Sequence, residues 1–196
     1  MEDNLPDNPY SLFKLWFARV FESSKVTEAN AMVLSTVNKG AVDSRVVLLK
    51  DLRDDKFVFY TNYKSHKGQQ LLENPNCTIL FPWVEHQQQI IVRGTAKKVS
   101  EEESTAYFLS RPESSQIGAW VSDQSKEIDH RDSLDKKLDE LTEYYKENEL
   151  TKPPHWGGFE IEPYEIEFWQ GRENRLHDRI LFELKDGKWE TRRLQP

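Results

Sequence analysis

Short runs of β-branched and aromatic residues, each closed by a turn signal, constrain this chain more than any other feature. Ala31 to Val37 and Val42 to Leu49 flank Asn38-Lys39-Gly40, and Arg179 to Leu184 and Trp189 to Leu194 flank Asp186-Gly187. Both read as hairpins, because Gly, Asn and Asp reach the positive-φ conformations that tight hairpin turns require. Further strands are expected at Phe57 to Thr61, Cys77 to Phe81, Gln89 to Val99 and Phe159 to Trp169.

Helical spacing interrupts these strands. Asn8-Pro9 ahead of Leu12, Phe13, Trp16, Phe17, Val20 and Phe21 predicts a capped helix at about 8–23 with its aromatic stripe in the core. His66 to Glu73 predicts a short helix stopped by Asn74-Pro75, and Ser100 with Glu103 forms a capping-box pattern for a helix to about Ser110. Ser133 to Asn148 predicts another, burying Leu134, Leu138, Leu141 and Tyr145. Six or seven hairpin-connected strands with three or four helices argue for a mainly β antiparallel barrel with helices at its ends. At 196 residues the chain has the length of one domain, expected over 1–196.

Several functions lose support at once. A formal charge of −7 argues against a nucleic-acid partner, which needs a basic face to displace counterions, but leaves room for a small basic pocket. No run approaches the ~20 apolar residues of a membrane-spanning helix. The single cysteine, Cys77, forms no intrachain disulfide and reads as a small core residue, which makes the cytoplasm the expected location. Dinucleotide-binding, P-loop and nucleophile-elbow glycine motifs are missing from the sequence, and its five histidines lack metal-site spacing.

What remains is a set of cations at strand ends and loops. Arg45 and Lys50 bracket a strand, and their spacing of five puts them on opposite sides of it, which suits two neighbouring ligands better than one. Tyr107 and Arg111, four apart, are expected on one face of a helix's last turn. Arg172, Arg175, His177 and Arg179 crowd the segment after Phe168-Trp169-Gln170, and Arg175, His177 and Arg179 would share a face if that segment is extended. Taken singly, each of these is as readily a solvated surface residue.

Together they match a known pattern. Ile166-Glu167-Phe168-Trp169-Gln170-Gly171-Arg172-Glu173-Asn174-Arg175-Leu176-His177-Asp178-Arg179 resembles the C-terminal signature of the pyridoxamine 5′-phosphate oxidase family. Arg45 to Lys50, Phe59-Tyr60-Thr61-Asn62, Ser110-Arg111-Pro112 and Ser114 to Ser122 follow the same family in order. The resemblance runs from about Leu5 to Pro196. It implies a flavin mononucleotide (FMN)-binding split β-barrel with peripheral helices, assembled as a homodimer through a C-terminal region at about 156–196, with flavin sites at the interface.

It also implies an activity: oxidation of pyridoxamine and pyridoxine 5′-phosphates to pyridoxal 5′-phosphate. A hydride equivalent would pass from the substrate's C4′ to the flavin, and O2 would then be reduced to hydrogen peroxide. Flavin contacts carry over onto Arg45, Val46, Leu48, Lys50, Tyr60, Thr61, His66, Lys67, Gln89, Gln124, Ser125, Trp169 and Arg179. Substrate-phosphate contacts carry over onto Lys50, Tyr107, Arg111 and Ser115, with Arg175 and His177 over the substrate ring as the residues nearest the chemistry. A phosphate clamp of this kind fixes the reacting carbon against the flavin.

Two departures from the pattern carry expectations. The family's Arg-Arg-Glu-Tyr segment, which folds over the substrate, has no counterpart ahead of Leu5, so weaker substrate binding is expected. His66 stands where relatives carry arginine, so the flavin phosphate meets a cation that is charged only when protonated. Two rivals use the same residues differently: a reductase on the same barrel, and a carrier that binds flavin or pyridoxal 5′-phosphate without turnover.

Overall fold

A computed structural model describes residues 5–23 and 25–196, so the N-terminal positions where a substrate-covering segment would fall lie outside the described residues. The first helix, α1 (Pro9–Phe21), starts as expected: the Asn8 side chain accepts from the Tyr10 amide at 2.8 Å, and Pro9 occupies the first turn, where no amide hydrogen is needed. Its aromatic stripe is core. Phe13 meets Phe57 at 5.0 Å and Phe81 at 5.2 Å, both edge-on, and Trp16 meets Phe168 at 5.4 Å.

Among the described residues nine strands follow: β1 (Ala31–Asn38), β2 (Ala41–Leu48), β3 (Asp51–Arg53), β4 (Lys56–Asn62), β5 (Asn76–Trp83), β6 (Gln88–Lys98), β7 (Trp156–Gln170), β8 (Asp178–Lys185) and β9 (Lys188–Leu194). They form one antiparallel sheet in the order β2-β1-β5-β6-β7-β4-β3, with β8 on β7 and β9 on β8. The expected hairpins at Lys39-Gly40 and Asp186-Gly187 are present, with all four residues at positive φ. The unanticipated β3–β4 hairpin turns on Asp54 and Asp55, also at positive φ, which Asp tolerates without the glycine that would have marked it. The sheet curls, but β2 and β3 end the hydrogen-bonded path, so the barrel is split rather than closed.

The long strand β7 is the spine. One of its edges pairs with β6 from Phe159 to Gln170; its other edge pairs with β4 through Trp156–Ile161 and then with β8 through Glu165–Gln170. Between the two halves the ladder slips at Arg93/Gly94, opposite Pro163. Proline has no amide to give the ladder, and a Cβ at Gly94 would lie 2.5 Å from the Glu162 carbonyl oxygen, so both residues fit a bulge and little else.

The helices complete the fold: α2 (His66–Glu73), α3 (Glu101–Ser110), α4 (Glu113–Val121) and α5 (Asp132–Tyr144). The Ser100–Glu103 capping box is formed in both directions. Helix α4 was not anticipated, because no side chain caps it and Pro112 alone introduces it. Helix α5 corrects an expectation, since none of its residues is buried and Leu138 is 40% exposed. Its partner is α4, and a two-helix contact at the surface covers only part of an apolar stripe. Among the described residues, no helix is long and apolar enough to cross a membrane.

Candidate functional site

A cavity of about 680 Å³ opens where the ends of β2 and β4, α2, α3, α4 and the start of β7 converge. Three of its described lining residues are cationic, Lys50, Lys67 and Arg111, and none is acidic, in a chain of formal charge −7. The positive potential is therefore local, and it draws anions into this one recess. Of the residues singled out from the sequence, Val46, Leu48, Lys50, Tyr60, Thr61, Lys67, Tyr107, Arg111, Ser115 and Gln124 line it together.

One cationic pole sits over α2. Lys67, in that helix's first turn, donates to Gln124 Oε1 at 2.8 Å, Thr61 Oγ1 at 3.3 Å and Ser65 Oγ at 3.4 Å. Burial, and then the nearby Arg45, hold the lysine below its ordinary pKa. Arg45 lies behind this pole rather than on the cavity wall, where it donates to the Leu34 carbonyl at 3.2 Å, Thr36 Oγ1 at 2.6 Å and Gln70 Oε1 at 3.3 Å. Its own pKa is lowered by burial, against the pull of Asp43. Two half-desolvated cations side by side suit a phosphate, which restores to both the charge-assisted bonds that burial removes. His66 and Ser125 flank this pole without lining the cavity; His66 is exposed, and its amide donates to Ser125 Oγ at 3.3 Å.

The other pole sits at the end of α3. Lys50 follows β2 rather than belonging to it, so it reaches the cavity while Arg45, inside the strand, points behind it. Tyr107 and Arg111 converge as expected, but not as helical neighbours: Arg111 is the extended C-cap of α3, and its carbonyl is held by Gln116 Nε2 at 2.8 Å. Arg111 Nη1 is buried and has no hydrogen-bond partner among the described residues. An orphaned guanidinium donor facing a basic recess is the fit expected for a second phosphate. Tyr60 stacks on Tyr107 at 3.9 Å, and Gly158 makes room for it, since a Cβ there would stand 2.8 Å from the Tyr60 ring.

Gln89, Trp169, Arg175, His177 and Arg179 do not reach this cavity. Gln89, Trp169, His177 and Arg179 form a separate cluster: Trp169 pairs across the sheet with Gln89 on one side and Arg179 on the other, and the His177 ring lies 4.7 Å from the Trp169 ring. The segment is not extended, as Arg175, His177 and Arg179 sharing a face would have required. Residues Glu173–Arg175 form a 3-10 turn, with Asn174 and Arg175 at positive φ. The turn returns His177 onto the backbone, where its Nδ1 accepts from the Arg172 amide at 3.1 Å; the neutral ring therefore carries its proton on Nε2. Arg179 Nε donates at 2.7 Å to Glu167, which is 3% exposed.

Thirteen residue steps along β7 separate Trp156, on the cavity wall, from Trp169 in this cluster, a strand length on the order of 40 Å if straight. Trp156 and Glu167 were both missed from the sequence. The paired glycines Gly157-Gly158 inside a strand were the available signal for Trp156, because side-chain-free positions mark where rings pack flat on the sheet.

Comparisons with known proteins match two consecutive stretches of the chain. The sequence profile of the family described as pyridoxamine 5′-phosphate oxidase matches residues 23–145, and that of the pyridoxine 5′-phosphate oxidase C-terminal dimerisation region matches residues 156–196. The chain is 48% identical to a pyridoxine/pyridoxamine 5′-phosphate oxidase of Microcystis aeruginosa, with 100% of this chain and 92% of that protein covered. It is 49% identical to the protein of the same name from Christiangramia forsetii, with the same coverage. Among solved structures, PhzG of Burkholderia lata, in complex with tetrahydrophenazine-1-carboxylic acid, superposes with a TM-score of 0.93 at 32% identity over 99% of this chain and 95% of that one. An FMN-binding, pyridoxamine 5′-phosphate oxidase-related protein of Nostoc punctiforme shares the fold at a TM-score of 0.74 and 14% identity, with 99% of each chain covered.

Proposed function

Because the chain belongs to the pyridoxamine 5′-phosphate oxidase family, we propose that its FMN-dependent oxidation of pyridoxamine and pyridoxine 5′-phosphates takes place in a cavity that two chains of a homodimer complete. The observation that carries this reading is the separation of the expected site residues into two groups along β7. One chain supplies the cavity with its two cationic poles; the partner supplies the cluster around Trp169 and His177. A twofold assembly repeats the arrangement and gives two equivalent sites.

Within the cavity, Lys67, backed by Arg45 and flanked by Thr61, Gln124, His66 and Ser125, holds the FMN phosphate, while Val46, Leu48 and Tyr60 border the rest of the cofactor. Lys50, Tyr107, Arg111 and Ser115 hold the substrate phosphate. Bound FMN would supply the acceptor for the two electrons that leave the substrate carbon as a hydride equivalent, with O2 as the final oxidant. Arg175 and His177 orient the substrate ring from the partner chain, where Nε2–H is the donor that the Arg172 amide leaves to His177. Gln89, Trp169 and Arg179 of that chain close the cofactor edge and exclude water. Two phosphate anchors a fixed distance apart turn a bimolecular encounter into an oriented one. A cytoplasmic location is part of the proposal, resting on a lone cysteine that is buried and so unavailable for a disulfide.

Anaerobic titration of the FMN-loaded protein with pyridoxamine 5′-phosphate tests the chemistry. Bleaching of the flavin absorbance and its recovery on readmitting O2 is the expected result; an unchanged spectrum with flavin bound would favour the carrier reading. The Burkholderia lata relative motivates a second titration with a tricyclic aromatic carboxylate, since a carboxylate suits the Arg111 pole too. Subunit mixing tests the shared site. Arg111→Ala and Arg175→Ala chains, each of low activity alone at subsaturating substrate, should recover up to about a quarter of wild-type activity when mixed, because half of the random dimers carry one intact site of two. No recovery would assign both groups to a site within one chain.

A further inference from the structure

The Trp156 indole stands at the centre of the second cationic pole. It is 7% exposed, closed edge-on by Phe108 at 5.2 Å, and faced by Tyr60 at 5.4 Å with 9° between the ring planes. The Arg111 guanidinium carbon lies 4.7 Å from the indole centroid. Lys152, whose side chain is 3% exposed, donates to the Trp156 carbonyl at 2.9 Å and anchors the strand at this point. The ring is therefore rigid from behind and below, and its free face carries a cation.

Of the two rings beneath the guanidinium carbon, Trp156 is the nearer, with Phe108 at 5.6 Å. Arg111 Nη1 has no hydrogen-bond partner among the described residues, and the cavity has no acidic lining to aim the guanidinium. The negative face of an indole attracts a guanidinium, most strongly where water is excluded, and it fixes the plane from which the donors project. Tyr60 extends the same order to Tyr107, stacked on it at 3.9 Å with 15° between planes.

We propose that Trp156 is a positioning residue for substrate capture: its indole face holds the Arg111 guanidinium ready for the substrate phosphate and, through Tyr60, keeps Tyr107 at the same pole. The inference rests on the reading that Arg111 meets that phosphate. Trp156 touches no reacting atom in this account. Losing its face leaves a long cation free among rotamers, and the cost of ordering that cation falls on binding rather than on turnover.

Steady-state kinetics of the FMN-loaded protein with pyridoxamine 5′-phosphate decide it, using Trp156→Leu, Trp156→Phe, Arg111→Ala and the Leu/Ala double variant. The leucine variant should raise KM about tenfold with kcat within about twofold of wild type, and phenylalanine, which keeps a ring face, should recover most of the loss. In the Arg111→Ala background the leucine change should add nothing further to KM. Equal losses from leucine and phenylalanine, or an undiminished leucine effect without Arg111, would overturn the proposal and leave Trp156 a packing residue. If Arg111→Ala itself leaves KM unchanged, the assignment of Arg111 to the substrate phosphate fails, and this inference with it. Trp156→Met, which keeps apolar volume without a ring, carries the same expectation should the leucine variant not fold.

Discussion

Arg179 donates its Nε–H at 2.7 Å to a Glu167 carboxylate whose side chain is 4% exposed, while the arginine's own side chain is 32% exposed. The pair is asymmetric, and so are its expected variants. Arg179→Ala strands a carboxylate in the sheet and should cost about 3–5 kcal/mol, whereas Glu167→Gln leaves an arginine that water still reaches and should cost about 1–2 kcal/mol. Urea unfolding of the two apoproteins measures the difference; equal losses would mean that Glu167 finds another partner.

Lys67 is held below its ordinary pKa chiefly by burial, with Arg45 adding to the effect. Between the folded and unfolded values the unfolded chain binds more protons, so this group makes apoprotein stability rise with pH until the ordinary lysine range is reached. A bound phosphate restores the charge and should flatten that rise. Denaturant midpoints from neutral to alkaline pH, with and without FMN, test this, and Lys67→Met should remove the rising contribution of this group from the pH dependence while weakening FMN binding by about 10- to 100-fold.

Gly158 faces the Tyr60 ring and Val99, each 2.8 Å from where a Cβ would stand. Gly158→Ala should cost about 1–3 kcal/mol by overpacking and tilt Tyr60 out of its stack with Tyr107. A lowered melting temperature together with a raised substrate KM is the expected signature. A fall in stability alone would separate the stack from binding.

Phe13, 2% exposed, ties α1 to the sheet through Phe57 and Phe81. Phe13→Ala should destabilise the protein by about 3–5 kcal/mol. Leu15, on the same helix but 40% exposed, is the comparison: Leu15→Ala should fall within about 0.5 kcal/mol of wild type in the same denaturation experiment.

Local chemistry was legible in the sequence because each signal acts over a few residues. Asn8-Pro9 sets the start of α1, Ser100 with Glu103 caps α3, and Asp186-Gly187 turns the last hairpin, each by its own backbone preference. The Ile166 to Arg179 signature and the other family motifs likewise pointed to candidate site residues and to the cofactor without any coordinates. Where local signals were weak, elements were missed: α4 has no side-chain cap, and the β3–β4 turn is made by two aspartates. Spacing misled where the backbone left regular geometry, as in the 3-10 turn that parts Arg175 from His177 and Arg179.

Only the tertiary structure decided how far apart the named residues lie and what stands behind them. The separation of the candidate site residues along β7, the withdrawal of Arg45 beneath Lys67, the burial of Glu167 under Arg179 and the Trp156 face beneath Arg111 all depend on strands remote in sequence meeting across one curled sheet. A sequence states which groups a chain owns; distance and desolvation, which set the strength of every charge in this cavity, exist only once the sheet has curled around them.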